Sequence, residues 1–355
     1  MSYIHIGNPK KTIVGTLLLI VMIMVFVSCD KVLTKEEVKV QDTAFSMGTA
    51  ITSTLYGRNS DELEKNLQSV NQCLTDVDLD ISWRNEGSLV SIFNEKHSVD
   101  VSSRESVFET ALDIAGKSGG AFDPTVLSVS ELWNIGSEEQ RHPADSEIET
   151  ALSKVDYTSL HLEDGILSSD NSDILLELGA IGKGYALNEA YKVIDRDEVS
   201  SGILSAGSSI LTFGTKPDGS KFKVGLRNPR GEQDDLIGIF ELTDLSVSTS
   251  GDYEKYFEED GKRYHHILDA RTGYPADSGL MSVTVIGEDS TLCDALSTVG
   301  FILGLDEGME LLNNYNVMAI FVDNQKNVYY NDKSILNFLS FEGESEGYIL
   351  MPYEG

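Results

Sequence analysis

The sequence predicts an α+β fold. Residues 61–77 and 102–118 place apolar side chains at helical spacing, which is typical of amphipathic helices. The second half of the chain is strand-rich, with short stretches of β-branched and apolar residues at 203–214, 222–229 and 281–286. Helices and strands in such a mixture indicate the α+β class. Hydrophobic residues make up 41% of the 355 residues, which is enough for one large domain or two closely packed ones.

The composition argues against a nucleic-acid partner. The chain has 27 Lys and Arg against 58 Asp and Glu, and its formal net charge is −31. Binding to a phosphate backbone requires clustered basic residues, so nucleic acid is excluded as an expected ligand. The sequence has no internal repeat or low-complexity segment, which excludes solenoid and fibrous proteins.

The N-terminus resembles the export signal of a bacterial lipoprotein. Lys10 and Lys11 precede an apolar run at residues 13–27, and the sequence Val-Phe-Val-Ser-Cys ends at Cys29. The run is short for a membrane-spanning helix, which needs about 20 residues. We expect cleavage before Cys29 and lipid attachment to its thiol. The protein would then be anchored to the cell membrane on its periplasmic or extracytoplasmic face; an uncleaved signal anchor is the alternative.

These features predict a single folded domain behind a lipidated N-terminus. The expected organisation is a signal peptide at residues 1–28, a lipidated tether at 29–41, the folded domain at 42–340 and a C-terminal tail at 341–355. Besides Cys29, the chain contains Cys73 and Cys293, which can form at most one disulfide bond. No CxxC motif is present, so a zinc site or thiol-redox chemistry is not expected.

Three short motifs in the first half are candidates for ligand contacts. A strand predicted at residues 43–55 is interrupted by Met47-Gly48-Thr49, where glycine allows close approach of a ligand or else marks a β-bulge. Trp83 lies in a polar segment, so its ring either stacks on a ligand or packs into the core. Asp123-Pro124 predicts a rigid turn with a carboxylate at its entry.

A glycine-rich turn at residues 175–190 joins a predicted strand to a predicted helix. It contains Gly179, Gly182 and Gly184, with Lys183 among them. Small residues at the start of a helix leave backbone N–H groups free to hold phosphate oxygens, and the lysine ammonium adds a positive charge. The turn matches neither the GxxxxGK[ST] nor the GxGxxG pattern, and an ordinary glycine turn is the alternative.

The densest polar cluster lies within residues 246–275. An Asp260-Gly261 hairpin signal comes first. The cluster then comprises His265, His266, Asp269, Arg271, Thr272 and Gly273. Histidine titrates near neutral pH and arginine binds phosphate oxygens through its planar guanidinium group. The alternative is a hairpin whose charges are merely solvated.

A predicted helix at residues 291–304 carries Asp294 and Thr298 four residues apart, and therefore on one face. A carboxylate and a hydroxyl oxygen so placed can hold a hard cation such as Mg²⁺. The alternative role for Asp294 is to cap the helix or to interact with its dipole.

Taken together, these motifs resemble the ApbE-like family of FAD:protein FMN transferases, which are bacterial lipoproteins. The resemblance extends from about residue 43 to about residue 330. The matching motifs, in order, are Met47-Gly48-Thr49, Phe122-Asp123-Pro124-Thr125, the segment from Leu178 to Tyr185, Ser250-Gly251-Asp252-Tyr253, His266-Ile267-Leu268-Asp269, Arg271-Thr272-Gly273 and Asp294-Ala295-Leu296-Ser297-Thr298.

The resemblance implies a duplicated, T-fold-like α+β architecture of antiparallel sheets and helices, with FAD in a cleft between the halves. It also implies Mg²⁺ bound by Asp294, Thr298 and the backbone carbonyl of Ala180. Family members transfer FMN from FAD to a Thr or Ser hydroxyl of an exported redox protein, such as an Rnf/Nqr-type subunit, and release AMP. Some members hydrolyse FAD to FMN and AMP instead.

Residue roles follow from the same resemblance. His266 is the expected general base because a group with a pKa near 6.5 accepts protons at neutral pH; His265 is the alternative. Asp294 and Thr298 are the other expected catalytic residues. The expected contacts to FAD are Met47, Trp83, Asp123, Glu177, Lys183, Arg271 and Thr272.

Four positions depart from the family pattern. They are Trp83, Glu177 in place of Asp, Ala270 in place of Pro, and Ser208-Ser209 in place of Gly-Asp. The departures leave two alternatives to the transferase: a periplasmic FAD pyrophosphatase, and a lipoprotein that binds FAD without catalysis.

Overall fold

A computed structural model of the protein describes residues 36–355 and has a mixed α+β fold. The helices in this part of the chain are α1 (Ser60–Ile81), α2 (Leu89–Lys96), α3 (Glu105–Lys117), α4 (Leu127–Trp133), α5 (Asp145–Leu152), α6 (Gly182–Lys192), α7 (Ser290–Leu303) and α8 (Leu305–Leu312). The strands are β1 (Val38–Ser46), β2 (Thr49–Gly57), β3 (Ser98–Asp100), β4 (Leu160–Glu163), β5 (Ile166–Ser169), β6 (Val199–Ala206), β7 (Ser209–Phe213), β8 (Phe222–Arg227), β9 (Leu236–Leu242), β10 (Ser246–Gly251), β11 (Tyr256–Glu259), β12 (Lys262–His265), β13 (Leu268–Asp269), β14 (Tyr274–Pro275), β15 (Leu280–Gly287), β16 (Met318–Asp323), β17 (Asn327–Tyr330), β18 (Leu339–Phe341) and β19 (Ile349–Pro352).

A nine-stranded sheet forms the centre of the domain. Its strand order is β1-β2-β6-β7-β10-β15-β16-β17-β19. Neighbouring strands are antiparallel, except that β17 and β19 are parallel. The α+β class expected from the sequence is therefore confirmed.

Helices cover one face of this sheet and a smaller sheet covers the other. On the helical face, buried residues of α1, α6 and α7 pack against β2 and β6 in the largest hydrophobic cluster, as Leu67, Leu187, Val299 and Leu204 do. On the opposite face, the three-stranded sheet β18-β9-β8 packs against β10, β15 and β16. The candidate site lies on the helical face.

Helix α1 follows the apolar spacing that predicted a helix at residues 61–77. Its buried residues recur every three or four positions along the helix: Leu63, Leu67, Val70, Leu74, Val77 and Ile81. The N-cap is Asn59, whose side chain accepts a hydrogen bond from the backbone N–H of Asp61. The predicted helix is thus present, although it continues to Ile81.

The strand predicted at residues 43–55 is in fact a hairpin of two strands. Strands β1 and β2 pair in continuous register up to Ser46 opposite Thr49, so there is no bulge. Met47 and Gly48 both have positive φ angles, 53° and 70°, as a two-residue turn between twisted strands requires. The carboxylate of Asp78 in α1 accepts bonds from the Ser46 hydroxyl (2.9 Å) and the Met47 N–H (2.8 Å), which holds the turn against the helix.

The ends of the folded part differ from the boundaries expected from the sequence. Strand β1 begins at Val38, within the segment expected to be tether. Strand β19 lies within the expected C-terminal tail but pairs with β17 in the central sheet. Residue 340 is therefore not a structural boundary, because backbone pairing continues beyond it.

None of the helices within residues 36–355 is long and apolar enough to cross a membrane. The apolar run at residues 13–27 and Cys29 lie outside the described residues. Cys73 and Cys293 are free thiols.

The close approach of α6 to α7 generates a prediction for Gly184. A β-carbon on Gly184 would lie 2.1 Å from the carbonyl oxygen of Ser290 and 2.6 Å from the β-carbon of Asp294. Since both are less than a van der Waals contact, Gly184→Ala should force the helices apart and lower the free energy of unfolding by about 1–3 kcal/mol. Gly116→Ala in α3 is the control, because its added carbon would meet nothing within 4 Å apart from the neighbouring backbone of its own helix.

Chemical denaturation of the two variants and the wild type measures this difference. Gly116→Ala should be at least as stable as the wild type, since alanine favours helix more than glycine does. Equal stability of Gly184→Ala and wild type would show that the two helices can separate without cost.

Candidate active site

The candidate site is built around the carboxylate of Asp294, which is 3% exposed. Its Oδ2 accepts a hydrogen bond from the backbone N–H of Gly184 (2.9 Å), and its Oδ1 accepts one from the hydroxyl of Ser209 (3.0 Å). The ammonium nitrogen of Lys183 lies 3.4 Å from the same Oδ1. The start of α6, strand β7 and helix α7 therefore meet at one buried negative charge.

Asp294 does not cap its own helix. The N-cap of α7 is Asp289, whose Oδ1 accepts bonds from the backbone N–H groups of Thr291 (2.8 Å) and Leu292 (3.1 Å). Asp294 lies one turn further along and its carboxylate bonds to other elements. Its carboxylate accepts from an N–H in the first turn of α6, and its expected role as a metal ligand stays a prediction.

Hydroxyl groups continue the site beyond Asp294. The Oγ of Ser250, at the end of β10, lies 3.0 Å from Oγ1 of Thr298 and 2.9 Å from Oγ of Ser297. Among residues 36–355, no group of three or more His, Cys, Asp or Glu could hold a metal ion. A cation here would therefore rely on one carboxylate with hydroxyl and carbonyl oxygens, which is a donor set that suits Mg²⁺ and leaves positions for water.

The glycine-rich turn brings Lys183 beside Asp294, and its Ala180 is half-buried against the main hydrophobic cluster. The turn closes through bonds from the N–H groups of Ile181 (3.2 Å) and Gly182 (2.8 Å) to the carbonyl of Leu178, and α6 begins at Gly182. The Lys183 ammonium lies 3.4 Å from the carbonyl oxygen of Gly179, in addition to its contact with Asp294. The ammonium and the carboxylate expected from the sequence thus lie side by side.

Met47 lies beneath this turn. A β-carbon on Gly182 would be 3.4 Å from the terminal methyl of Met47 and 3.2 Å from Cδ1 of Ile81. The β1–β2 turn and the end of α1 therefore support the glycine-rich turn from below. The backbone conformation of Met47 is set by the hairpin, and its expected contact with FAD stays a prediction.

Trp83 and Glu177 form a second polar region. The guanidinium carbon of Arg84 lies 4.1 Å from the ring centre of Trp83, which also packs against the main hydrophobic cluster. The Glu177 carboxylate accepts a 2.5 Å hydrogen bond from the Ser130 hydroxyl. Burial raises the pKa of Glu177, and Arg84 acts in the opposite direction. The Trp83 ring thus packs against the core and against Arg84, and its expected contact with FAD stays a prediction.

Asp123 has its hydrogen bonds inside the protein. Its Oδ1 accepts bonds from the N–H (2.8 Å) and hydroxyl (2.6 Å) of Thr125, and its Oδ2 accepts one from the N–H of Tyr157 (3.0 Å). Burial raises the pKa of Asp123 in spite of these bonds. In this structure the carboxylate stabilises a turn, so the structure gives no support to its expected contact with FAD.

The segment after the β11–β12 hairpin carries the two histidines. Asp260 and Gly261 have φ angles of 50° and 78°, which confirms the predicted hairpin turn. His265 is buried, and its Nε2 lies 3.1 Å from the carbonyl oxygen of Ala276. The buried ring of His265 does not face solvent, which favours His266 as the base.

His266 lies at the surface with its Nδ1 3.3 Å from the carbonyl oxygen of Lys255. A carbonyl oxygen can only accept, so Nδ1 of the neutral ring carries the hydrogen and Nε2 keeps a lone pair. Protein surrounding the ring lowers the pKa of His266, and the positive charges of Lys255 and Lys183 lower it further. The ring is therefore neutral at neutral pH, and the same surroundings make it a weaker base than an ordinary histidine.

Arg271 and Thr272 interact mainly with Asp269. The guanidinium Nε and Nη2 of Arg271 lie 3.0 and 2.8 Å from the two carboxylate oxygens of Asp269, and the Arg271 N–H is 2.9 Å from Oδ1. The Thr272 hydroxyl lies 3.4 Å from the Asp269 carbonyl oxygen. Arg271 would have to give up part of this pairing in order to bind a phosphate group.

Two site residues were not expected from the sequence. The Ser209 hydroxyl bonds to Asp294, and the Ser250 hydroxyl bonds to Thr298. Ser209 belongs to the Ser208-Ser209 pair and Ser250 to the Ser250-Gly251-Asp252-Tyr253 motif, but nothing in their spacing indicates which helix they contact. Pairing of β10 with β7 places both strands beneath α7.

Comparison with known proteins places this geometry in a family. The ApbE family model matches residues 47–321. This chain belongs to the ApbE family. The FAD:protein FMN transferase of Treponema pallidum is 31% identical over 303 residues, which are 79% of this chain and 84% of that protein. The protein of the same name from Klebsiella pneumoniae is 34% identical over 221 residues, which are 61% of this chain and 68% of that protein.

Solved structures of the family share the fold. The ApbE protein of Thermotoga maritima superposes with a TM-score of 0.73 at 31% identity, covering 88% of this chain and 99% of that one. The apo flavinyl transferase ApbE of Pseudomonas stutzeri gives a TM-score of 0.70 at 29% identity, covering 81% and 92%. The resemblance inferred from the motifs is confirmed.

The surroundings of His266 predict its titration. Because the protein around the ring and the nearby ammonium groups disfavour the imidazolium form, the pKa of His266 in the free protein should lie well below the ordinary value of about 6.5. NMR of the ring protons between pH 8 and pH 4.5 tests this, because the His266 signals should still be mainly those of the neutral ring at pH 4.5; His266→Asn assigns them.

Lys255→Gln tests whether the positive charge of Lys255 lowers the pKa of His266. Removing that charge should raise the pKa. A midpoint at or above 6.5 in the wild type would contradict the proposed environment of the ring.

Proposed function

We propose that the protein is a Mg²⁺-dependent FAD:protein FMN transferase that attaches FMN to a Thr or Ser hydroxyl of an exported redox protein and releases AMP. Its membership of the ApbE family and the names of its relatives support this proposal. The observation that carries it is the contact of the Asp294 carboxylate with the Lys183 ammonium and the Gly184 N–H at the start of α6, with Thr298 one turn further along α7. A negative carboxylate, an ammonium group and a helix N-terminus together suit a metal-bound pyrophosphate.

The residues that would hold the metal are Asp294, Thr298 and the carbonyl of Ala180. The Asp294 carboxylate already faces a cation, the Lys183 ammonium, which supports its fitness for binding positive charge. A bound Mg²⁺ would neutralise the negative charge that develops on the pyrophosphate during transfer. Lys183 would pair with a phosphate oxygen in the same region.

The remaining residues bind the substrate and move the proton. The Trp83 ring offers a flat surface for stacking, and Met47, Glu177, Arg271 and Thr272 would contact other parts of FAD. The acceptor hydroxyl would give its proton to Nε2 of His266 as its oxygen attacks the phosphorus of the FMN portion. The bond from that phosphorus to the bridging oxygen then breaks, and AMP leaves.

The acceptor protein and the location of the reaction are part of the same proposal. An exported acceptor such as an Rnf/Nqr-type subunit would meet the enzyme on the extracytoplasmic face of the membrane. A lipid on Cys29 would anchor the enzyme there, and the charged residues that follow would act as the tether.

The role of Asp294 can be tested with a shape-matched substitution. Asp294→Asn keeps an oxygen for the Gly184 N–H and an amide for the Ser209 hydroxyl, but removes the charge. We expect FMN transfer to fall by about 100-fold or more, because loss of charge neutralisation costs several kcal/mol in such reactions. FAD binding should weaken much less, because FAD contacts the protein along its whole length.

The assay combines purified protein, FAD, Mg²⁺ and an acceptor with the sequence Asp-Gly-x-Ser/Thr-Gly-Ala-Thr/Ser, and measures the fluorescent acceptor band and AMP in parallel. Asp289→Asn is the control, since asparagine also caps helices and a charge is lost from the same helix. AMP without labelled acceptor would indicate a FAD pyrophosphatase. FAD recovered intact would indicate a binding protein without catalysis. Normal transfer by Asp294→Asn would overturn the metal assignment.

The lipid anchor predicts the behaviour of Cys29→Ser. Without the thiol, the protein should be recovered in the soluble fraction after export and should keep its activity, because the folded domain begins at Val38. Membrane fractionation followed by the acceptor assay measures both. If the variant stays in the membrane fraction, the N-terminal segment is an uncleaved anchor.

A further inference from the structure

Three hydroxyl groups form a connected chain beside the candidate cation site. Ser297 donates to the carbonyl oxygen of Asp294 (2.9 Å). The Ser250 hydroxyl lies 2.9 Å from that of Ser297 and 3.0 Å from that of Thr298. Thr298 has a second, longer contact of 3.4 Å with the Asp294 carbonyl. Ser297 is fully buried, whereas Ser250 and Thr298 are half-buried.

The distances determine which way each hydrogen points. Each hydroxyl has one hydrogen and can accept further bonds through its lone pairs. Ser297 uses its hydrogen on the Asp294 carbonyl, which can only accept. Ser250 must then supply the hydrogen in its contact with Ser297, and Thr298 must supply it in its contact with Ser250. This arrangement satisfies the three shortest contacts.

Any other assignment of the three hydrogens leaves a shorter oxygen–oxygen contact without a hydrogen bond. Suppose that Ser250 gave its hydrogen to Thr298 while Ser297 still donated to the Asp294 carbonyl. The hydroxyl oxygens of Ser250 and Ser297 would then lie 2.9 Å apart with no hydrogen between them. If Ser297 gave its hydrogen to Ser250, the same problem would arise between Ser297 and the Asp294 carbonyl at 2.9 Å. Only the first arrangement leaves the weakest contact, at 3.4 Å, without a hydrogen.

We propose that Ser250 is a positioning residue that turns the hydroxyl hydrogen of Thr298 toward the protein, so that the lone pairs of Thr298 face the cation site. This inference rests on the proposed function, since it concerns the ligand Thr298. A hydroxyl binds a cation through its lone pairs, and so its hydrogen has to point elsewhere. The three hydroxyls also polarise one another along the chain, which makes the Thr298 oxygen a better donor of electron density.

Without Ser250, the hydrogen of Thr298 would have the Asp294 carbonyl as its remaining partner in this group. That bond is longer and turns the hydroxyl back along its own helix. Residues that orient a metal ligand in this way change metal affinity by about 10- to 100-fold when they are removed. We expect Ser250→Ala to weaken divalent-cation binding by about 10-fold.

Mn²⁺ serves as the probe because its free form is measured directly by electron paramagnetic resonance. The full chain is titrated with Mn²⁺, with and without FAD. Ser250→Ala should raise the dissociation constant, and Ser250→Thr, which retains a hydroxyl, should restore it. The Mg²⁺ concentration needed for half-maximal transfer should rise in Ser250→Ala, while kcat at saturating Mg²⁺ should change little.

The matched control is Thr249→Val, on the same strand but the opposite face. The Thr249 hydroxyl is also paired with another hydroxyl, that of Thr284 at 2.8 Å, but it is not part of the chain beside Asp294. Its substitution should leave Mn²⁺ binding unchanged. Ser297→Ala, at the other end of the chain, should weaken binding, since it frees the hydrogen of Ser250 to point at Thr298.

A double substitution separates positioning from general destabilisation. In a Thr298→Ala background, Ser250→Ala should have no further effect on Mn²⁺ binding. An undiminished effect there, or wild-type affinity in Ser250→Ala, overturns the proposal. If Asp294→Asn also binds Mn²⁺ like the wild type, the proposed function fails as well; if only Asp294→Asn loses binding, the role of Ser250 alone is refuted.

Discussion

The hydrogen bond between the buried Asp294 carboxylate and the Gly184 N–H is the interaction on which the site depends. A buried charge costs several kcal/mol unless it is paired and hydrogen-bonded. Here the donors come from α6, from β7 through Ser209 and from the Lys183 ammonium. The charge is therefore satisfied only when helix, sheet and glycine-rich turn are all in place, which links correct folding to the assembly of the site.

The same contact explains why the turn contains glycine at this position. The backbone of α6 comes so near to α7 that no side chain fits at Gly184. Close approach lets a backbone donor reach a carboxylate on another helix, and it also sets Lys183 beside that carboxylate. In a chain with a net charge of −31, this ammonium places a positive charge at the position where we propose that the pyrophosphate binds.

Helices and turns were predicted correctly where the residues that determine them lie within one short stretch of sequence. Helix α1 follows the spacing of its buried residues, and the β11–β12 turn follows the Asp260-Gly261 pair. The β1–β2 turn was missed because Met47, which adopts a left-handed conformation there, carries no turn signal of its own. Its conformation is held by bonds to Asp78 on a distant helix, which the local sequence does not reveal.

The sequence by itself determined the α+β class, the helix that places Asp294 and Thr298 on one face, and the family to which the motifs belong. These depend on periodicity and on motif order, which are properties of the chain alone. Only the tertiary structure decided that Asp294 is not a cap, that Arg271 is paired with Asp269, and that the Ser250 hydroxyl reaches Thr298. Such outcomes depend on which elements pack together, because a hydrogen bond needs its two groups within about 3 Å, and residues far apart in sequence meet only after the sheet has formed.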